Sequence, residues 1–333
     1  MVAAQDLKSC DFGHAGSSPA LGTHMINNLF IFAVALFLVI KGATMATKHA
    51  ARLAESFRLS KYTIGFIVVA IISILPETFI AINSAIEGVP SFGLGVLFGS
   101  NIADLTLLFA ILVLYAGRGL KVESKILKNH AAYPFALLLP LILGLDGHFS
   151  RLEGLALIVA GALFYYVALR DGTDNIITVT SDTNKYKNFL MLLFSMAVLL
   201  AGAHFIVTSA TSLAGLVGVN PILIGMLIVG LGTTMPELFF ALQAVKKHDD
   251  SLAIGDILGT VLADATIVVG ILALISPFSF PQKIIYITGV FMVAASFALF
   301  CFMRSKRAIT KKEAYILLAF WLVFVIVEFI VNK

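Results

Sequence analysis

The sequence predicts an all-α polytopic membrane protein with ten transmembrane helices, arranged as two five-helix repeats of opposite orientation. Three observations predict this fold. The composition is 59% hydrophobic and 13% charged, with a mean hydropathy of +0.99, whereas a soluble domain has roughly 25% charged residues. Ten apolar runs are long enough to cross a bilayer. An acidic motif also occurs twice, 160 residues apart.

The chain begins with a segment unlike the rest. Residues 1–24 are small and polar and lack an apolar run of signal-peptide length. We interpret them as a non-native expression leader or a disordered tail, with Met25 as the native start. The predicted organisation is then a first five-helix repeat at 25–170, a linker at 171–186 and a second five-helix repeat at 187–333.

The ten predicted spans follow from the length of each apolar run, because a helix needs about 20 apolar residues to cross a bilayer. In the first half they cover roughly 27–50, 61–86, 92–115, 130–148 and 152–170. In the second half they cover roughly 187–215, 220–246, 251–276, 283–303 and 312–331.

Basic residues predict the direction of the spans. Eighteen lysines and arginines fall in one set of loops, and three fall in the opposite loops and at the C-terminus. The larger set is Lys48, Arg52, Arg58, Lys61, Arg118, Lys121, Lys125, Lys128, Arg170, Lys185, Lys187, Lys246, Lys247, Arg304, Lys306, Arg307, Lys311 and Lys312. The positive-inside rule puts these loops in the cytoplasm. Both native termini are therefore expected on the other side of what we take to be a prokaryotic cell membrane.

An internal repeat relates the two halves. GFIVVAIISILPETFIAI (65–82) aligns with GMLIVGLGTTMPELFFAL (225–242), and GVLFGSNIADLTLLFAILVL (95–114) aligns with GDILGTVLADATIVVGILAL (255–274). Residues 64–114 share 16 identities in 51 positions with the later stretch, without a gap. Apolar helices match by chance, but a shared Pro-Glu pair and a shared aspartate do not, because charges in spans are rare. With five spans per half the repeats are inverted, as in secondary transporters with a site at the bilayer midplane.

Four acids in the repeats each have a hydroxyl four residues earlier. The pairs are Ser73 and Glu77, Ser100 and Asp104, Thr233 and Glu237, and Thr260 and Asp264. Residues four apart share one face of a helix, so each pair presents its oxygens to one side. A single buried carboxylate could be the structural partner of a lysine or histidine, but four at one repeat offset predict a cation site.

The prolines and glycines of the repeats add to this prediction. Pro76 and Pro236 lack an N–H and displace the carbonyls of Ile72 and Gly232, which are then expected to line a cavity or find a partner. Carboxylate, hydroxyl and carbonyl oxygens are the ligands of hard cations such as Ca²⁺. A GxxxG motif precedes each aspartate and predicts close helix contact. Asp256, whose counterpart in the first repeat is Val96, is interpreted as lining the cytoplasmic approach.

The motifs SILPE and TTMPE, followed by GSNIAD and GTVLAD, resemble the two α-repeats of the sodium/calcium exchanger family, within the calcium/cation antiporter superfamily. The resemblance covers essentially all of 26–331. It implies that the glutamates, the hydroxyls before them and the acid closing each second motif bind Na⁺ and Ca²⁺. Carried across by motif, the metal site is Glu77, Glu237, Asp104, Asp264, Ser73, Thr233, Thr234, Ser100 and Thr260. It also implies alternating access in which the helices near 27–50 and 187–215 slide past the rest.

Three positions depart from the family pattern. Ile74 stands where a second hydroxyl is usual, and Val261 stands where an asparagine is usual. Asp104 stands where sodium/calcium exchangers commonly have asparagine, which makes the carboxylate set symmetric. Because closely spaced carboxylates repel one another, the empty site is expected to hold protons shared among its members. The extra acid therefore suggests a shift of the counter-ion towards protons.

The sequence thus predicts a secondary active antiporter, not an enzyme, that exchanges Ca²⁺ for Na⁺ or H⁺ by alternating access. The alternatives are a proton-coupled divalent cation exchanger and a cation channel, since acid rings suit channels too. An intramembrane metalloprotease would need histidines near glutamate, as in HExxH, and the histidines are scattered. The expected partners are inorganic cations and lipid, with no cofactor, nucleic acid or obligate protein partner.

Overall fold

In the computed structural model of the chain, the described residues are 19–54, 66, 69–122, 133–171 and 185–332. Most of the predicted leader and of the predicted linker lies outside them, as do Arg58, Lys61, Lys125 and Lys128. Residues 19–24, the last part of the predicted leader or tail, are helical. The helix begins at Pro19, and proline suits a first helical position because its missing N–H would have no partner there.

The described chain is predominantly helical. The helices of the first half are Pro19–Ala54, Ala70–Ser73, Leu75–Ile86, Pro90–Ala103, Phe109–Ala116, Tyr133–Ala136, Leu138–Leu143 and Arg151–Asp171. Those of the second half are Lys185–Val217, Pro221–Ile224, Gly230–Thr233, Met235–Lys246, Asp250–Ala263, Val269–Ile275, Val290–Lys306 and Lys311–Asn332. Short π-helical segments are Asp104–Leu108, Gly225–Val229, Asp264–Val268 and Ile284–Gly289.

Eight helical segments in the described residues are long and apolar enough to cross a membrane. Two of the ten predicted spans correspond to shorter apolar helices, Ala70–Ile86 and Tyr133–Leu143, and parts of both predictions fall outside the described residues. The second ends at Leu143 rather than at residue 148. A turn follows in which Gly147 has a φ of +79°, a conformation that glycine adopts without steric cost.

Both helices that carry a Pro-Glu motif break directly before it. Ile74 has φ −72° and ψ −3°, and Thr234 has φ −74° and ψ −7°. A new helix begins with the next residue and has proline near its start, where no N–H partner is needed. We call these new helices, Leu75–Ile86 and Met235–Lys246, the Pro-Glu helices.

The following helix of each half widens at its aspartate. Pro90–Ala103 and Asp250–Ala263, which we call the GxxxG helices, continue into the π-helical segments Asp104–Leu108 and Asp264–Val268. Such π-helical turns often occur at functional sites. The breaks and the π-helical segments recur at the same offset of 160 residues as the sequence repeat.

Two-residue strands join loops of opposite halves. β1 (Leu120–Lys121) pairs antiparallel with β4 (Ala308–Ile309), and β2 (His148–Phe149) pairs antiparallel with β3 (Phe278–Ser279). The all-α prediction missed these strands because each is too short to show an alternating pattern. Each pair connects one loop of the first half to one loop of the second.

The GxxxG helices and the segments that continue them form the centre of the fold. The spans Pro90–Ala116 and Asp250–Ile275 are almost wholly buried, whereas Lys311–Val331 exposes most of its apolar surface, as a span in contact with lipid does. The two long helices Pro19–Ala54 and Lys185–Val217 pack against each other along the edge of this centre. Their axes run antiparallel, since Gly42 lies against Leu199 and Gly202 lies against Val39.

Candidate cation site

The Pro-Glu helices place two glutamates in the centre of the fold. Glu77 and Glu237 lie in the first turn of these helices and are 1% and 0% exposed. A carboxylate near a helix N-terminus is stabilised by the unpaired backbone N–H groups and the helix dipole. Ser73, Thr233 and Thr234, at the breaks before these helices, are also buried. The break therefore gives a local reason for an acid in an apolar span.

The GxxxG helices supply the other four predicted residues. Asp104 and Asp264 begin the π-helical segments, and Ser100 and Thr260 lie four residues earlier. All four side chains are buried, with no more than 1% exposed. Every predicted site residue is therefore enclosed in the protein interior.

The glycines bring the two halves into contact, as the GxxxG motifs predict. A Cβ at Gly99 would collide with the backbone of Met226, and a Cβ at Gly259 would collide with the carbonyl of Phe66. Each GxxxG helix thus crosses the segment that leads to the Pro-Glu helix of the other half. This close crossing sets acids of one repeat opposite acids of the other.

Two hydroxyls lie next to acids of the opposite repeat, in addition to preceding an acid of their own repeat by four residues. The Thr233 side chain lies beside the Glu77 carboxylate, and the Ser100 side chain lies beside the Asp264 carboxylate. The hydroxyl protons are donated elsewhere, from Thr233 to the Gly230 carbonyl and from Ser100 to the Leu97 carbonyl, each at 3.0 Å. The lone pairs of both hydroxyls therefore remain available to a cation.

The carboxylates form one electrostatic cluster. Asp104 interacts with the charges of Glu77 and Asp256, and Glu237 interacts with those of Glu77, Asp104 and Asp256. Asp264 interacts with Glu77 and Asp104. The four repeated carboxylates are thus close enough to repel one another when ionised. Cations that enter among them would relieve that repulsion.

Most of the carboxylate oxygens have no hydrogen-bond partner in the structure. Both oxygens of Asp104, Glu237 and Asp264 and one oxygen of Glu77 are buried and unpaired, and so is the Thr260 hydroxyl. Unpaired buried oxygens are costly and are uncommon in native proteins. Their concentration at one place indicates a site for ligands that supply positive charge.

The acidic side chains of the cluster do not form one compact metal site. Among the described residues, no group of three or more Asp, Glu, His or Cys side chains is close enough to hold one metal ion. A single cation bound in this conformation would therefore need oxygens other than carboxylates. Hydroxyl and backbone carbonyl oxygens would have to complete its coordination, as they commonly do for hard cations.

The carbonyls displaced by the prolines are not left without partners. At the two breaks, backbone N–H groups bond to the carbonyls of Ile72 and Gly232. The chain forms a tighter turn before the proline. Each of these carbonyl oxygens therefore accepts a hydrogen bond from an N–H closer in sequence than its partner in a regular α-helix. A carbonyl oxygen has two lone pairs, and the second lone pair stays available to a ligand.

Two tyrosines of the first half hold the second GxxxG helix next to the site. The Tyr165 hydroxyl donates a hydrogen bond of 2.6 Å to the Gly259 carbonyl, and the Tyr133 hydroxyl donates one of 2.7 Å to the Leu258 carbonyl. Both rings are buried. These bonds fix the backbone directly before Thr260.

Asp256 belongs to the cluster, although the sequence analysis did not assign it to the site. Its Oδ1 accepts a hydrogen bond of 3.0 Å from the Ser73 hydroxyl, and the side chain is 0% exposed. Sequence repetition does not single it out, because its counterpart in the first repeat is Val96. Its spacing of four residues before Thr260 was the signal that could have placed it on the same helix face.

The chain is similar to known proteins along most of its length. Residues 27–170 and 187–330 match the family model described as sodium/calcium exchanger protein. The inner membrane protein YrbG of Escherichia coli (strain K12) is 28% identical over 292 residues, covering 82% of this chain and 88% of that protein. The sodium/calcium exchanger MaX1 of Methanosarcina acetivorans is 23% identical over 349 residues, covering 91% of this chain and 98% of that protein.

The fold is also similar to a solved exchanger structure. The sodium-calcium exchanger NCX_Mj, soaked with 100 mM Na⁺ and 10 mM Sr²⁺, superposes with a TM-score of 0.68 at 22% identity, covering 90% of this chain and 97% of that chain. The family match spans most of the sequence and both of its halves. The chain is therefore an integral membrane protein that belongs to the sodium/calcium exchanger family.

Proposed function

We propose that the protein is a secondary active antiporter that exchanges Ca²⁺ for Na⁺ through a buried site near the bilayer midplane. The observation that carries the proposal is the enclosed cluster of Glu77, Asp104, Glu237 and Asp264, whose oxygens are largely unpaired. Carboxylates are rare within membranes and usually mark ion pathways. MaX1 and NCX_Mj, to which the chain is similar, are named sodium/calcium exchangers.

Ten spans in two inverted five-helix repeats, 25–170 and 187–333, are part of this proposal. The helix breaks and the π-helical segments recur at one offset, and the two stretches matched by the family model are separated by the same offset. The shorter helices Ala70–Ile86 and Tyr133–Leu143 complete the count when they are taken as spans. A site at the interface of two such repeats lies near the midplane.

Contacts between loops support the predicted orientation. Arg118 forms a two-point ion pair with Asp250 at 2.6 and 2.7 Å, which links its loop to the loop that contains Lys246 and Lys247. The β1–β4 pair joins the Arg118 loop to the loop of Arg307, and the β2–β3 pair joins two loops of the opposite set. We infer that the basic loops are cytoplasmic and that the native termini are extracytoplasmic.

The proposed ligands have distinct roles. The four carboxylates neutralise the charge of the ions, and the hydroxyls of Ser73, Ser100, Thr233, Thr234 and Thr260 complete their coordination. One Ca²⁺ cancels two negative charges, and Na⁺ ions or protons can cancel them instead. Because the two kinds of ion compete for the same carboxylates, occupancy is mutually exclusive, which is the condition for antiport. A site without bound ions carries uncompensated charge, which disfavours the change of access from one side of the membrane to the other.

Alternating access would move the long helices Pro19–Ala54 and Lys185–Val217 relative to the rest. This pair packs mainly against itself and lies beside the Pro-Glu helices. Its surface carries large exposed apolar side chains such as Phe30, Phe37 and Phe194, which slide in lipid without exposing polar groups. Such movement could open the cluster to one side of the membrane at a time.

The test is Ca²⁺ flux into proteoliposomes that contain the purified full chain. We expect uptake driven by an outward Na⁺ gradient and inhibited by Na⁺ on the side of uptake. Glu77→Gln and Glu237→Gln should each abolish exchange, because each removes a charge that balances the ion. Exchange that persists in both variants would refute the site assignment. A high unitary current without exchange would instead indicate a channel.

Asp104 favours a second candidate, a proton-coupled divalent cation exchanger. Both of its oxygens are buried without a hydrogen-bond partner, and it adds one titratable group to the cluster. In the same assay, a pH gradient alone would then drive Ca²⁺ uptake. Strict dependence on Na⁺, unaffected by a pH gradient, would exclude this candidate.

A further inference from the structure

Asp256 is a carboxylate that only one of the two repeats contains. The four acids of the proposed site occur in repeat-related pairs, but the counterpart of Asp256 is Val96. Asp256 is as deeply buried as the paired acids, with 0% of its side chain exposed. Burying a carboxylate without a compensating charge is strongly unfavourable, so Asp256 must either carry a proton or have a positively charged partner when ions are bound.

The contacts of Asp256 leave room for such a partner. Its Oδ1 accepts a hydrogen bond from the Ser73 hydroxyl, and its Oδ2 is buried with no hydrogen-bond partner. Among the described residues, the charged groups that interact with Asp104 and Glu237 are other carboxylates. No described lysine or arginine is bonded to it in the structure. A bound cation, in competition with a proton, would balance its charge.

The position of Asp256 sets it apart from the four paired acids. It lies eight residues before Asp264 in the helix that begins at Asp250, or about 12 Å along the axis at 1.5 Å per residue. Ser73 likewise precedes Glu77 by one turn. Both side chains are therefore displaced from the paired acids towards the basic loops, where Arg118 binds Asp250.

We propose that Asp256 and Ser73 form an additional binding position for the transported hard cation, on the basic-loop side of the four paired carboxylates. The Asp256 carboxylate supplies the charge. The Ser73 hydroxyl, freed from its hydrogen bond to Oδ1, supplies a neutral oxygen, as hard cations commonly require. This inference rests on the proposed function and adds to it an asymmetry, because Val96 offers no such position on the other side.

The test compares the two faces of the membrane. Ca²⁺ uptake is measured in right-side-out and in everted membrane vesicles that contain the full chain or its Asp256→Asn variant. We expect the half-saturating Ca²⁺ concentration at the basic-loop face to rise about tenfold, the usual effect of removing one charged partner. At the opposite face it should change less than about twofold. An equal change at both faces, or none at either, would overturn the proposal.

Two further variants control for indirect effects. Glu328→Gln alters a buried carboxylate outside the cluster, which is bonded to Thr288, and should leave both half-saturation values unchanged. Asp256→Glu keeps the charge and should restore most of the affinity that Asp256→Asn loses. If Asp256→Glu behaves like Asp256→Asn, the charge is not what matters and the proposal is wrong.

Equilibrium binding separates this inference from the proposed function. Radioactive Ca²⁺ is titrated onto the purified full chain, onto Asp256→Asn and onto Asp256→Glu, without any requirement for transport. Asp256→Asn should bind Ca²⁺ more weakly even if wild-type exchange proves to be driven by another ion. If Asp256→Asn binds Ca²⁺ normally while Glu237→Gln has lost exchange, the additional binding position is rejected and the proposed antiport function stands. Should Asp256→Asn fail to fold, Asp256→Ser takes its place in the same titration, and wild-type affinity of that variant would overturn the proposal.

Discussion

The hydroxyl of Tyr165 donates a hydrogen bond of 2.6 Å to the carbonyl of Gly259, which lies one residue before Thr260. The bond connects a helix at the edge of the first repeat to the helix that carries two proposed ligands of the second. It leaves the Cβ-free face of Gly259 in contact with the backbone of Phe66. The ligand backbone is thus held from two sides by the other half of the protein.

Tyr165→Phe should weaken Ca²⁺ binding without abolishing exchange. The substitution removes a buried hydrogen bond worth about 1 kcal/mol and leaves the ring in place. We expect a several-fold rise in the half-saturating Ca²⁺ concentration and a lower melting temperature in detergent. Tyr166→Phe is the matched control, because Tyr166 is 64% exposed and its substitution should change neither value. Equal effects of the two substitutions would argue against a positioning role for Tyr165.

Gly99→Ala should destabilise the protein, because the new Cβ would meet the backbone of Met226. Overpacking of this kind costs about 1–3 kcal/mol, and the forced separation should also reduce exchange. The measurement is thermal unfolding in detergent together with Ca²⁺ flux. Gly215→Ala is the control, since a Cβ there meets nothing within 4 Å and alanine favours a helix. A Gly99→Ala variant as stable as the Gly215→Ala variant would contradict the close crossing.

Asp104→Asn should shift the coupling ion. The substitution removes one of the titratable groups of the cluster and keeps an oxygen ligand of similar shape. We expect Ca²⁺ uptake driven by a Na⁺ gradient to remain, and any uptake driven by a pH gradient to fall by about tenfold, as expected for the loss of one charge-assisted contact. Asp264→Asn, at the repeat-related position, should impair uptake under both gradients. Identical behaviour of the two variants would show that the departure at Asp104 has no role in coupling.

Arg118→Ala should lower stability by a similar amount at every pH between about 6 and 10. The hydrogen bonds to Asp250 raise the pKa of the Arg118 guanidinium. A group whose pKa is raised by folding contributes its full stabilisation at every pH below its ordinary pKa. That stabilisation is lost only as the pH rises through the raised pKa, which for arginine lies beyond the tested range. We expect a loss of about 1 kcal/mol in the free energy of unfolding, measured by melting in detergent across that range.

Arg118→Lys and Arg304→Ala complete this experiment. Lysine cannot form the two-point contact of a guanidinium with a carboxylate, so Arg118→Lys should recover only part of the loss. Arg304 is exposed at the end of another basic loop, and its removal should have little effect. A marked dependence of the Arg118→Ala effect on pH within the range would contradict the proposed ion pair.

Repeated polar residues made most of the buried carboxylate cluster predictable. Glu77 and Glu237 stand out because an acid is costly in an apolar span and because each follows a proline. The aligned glycines predicted close helix crossings, and Gly99 and Gly259 lie at such crossings. The predictable features were therefore those that occur at equivalent positions in both repeats.

Features present in only one repeat could not be predicted in this way. Asp256 has a valine as its counterpart, and Tyr165 looks like any aromatic residue of a lipid-facing helix until its hydroxyl is seen to reach Gly259. The pairing of Thr233 with Glu77 depends on how the two halves cross, which helical spacing within one segment does not report. The short strands depend on contacts between loops more than 120 residues apart in the chain.

The pairing of β1 with β4 and of β2 with β3 has a consequence for biosynthesis. When the first half leaves the ribosome, its strands at Leu120–Lys121 and His148–Phe149 have no partners, because both partners belong to the second half. Unpaired strand edges are open to wrong pairing. The first half of the chain is therefore inserted in the bilayer with these two strands unpaired until the second half is made. A chain truncated at the linker would keep both strands unpaired.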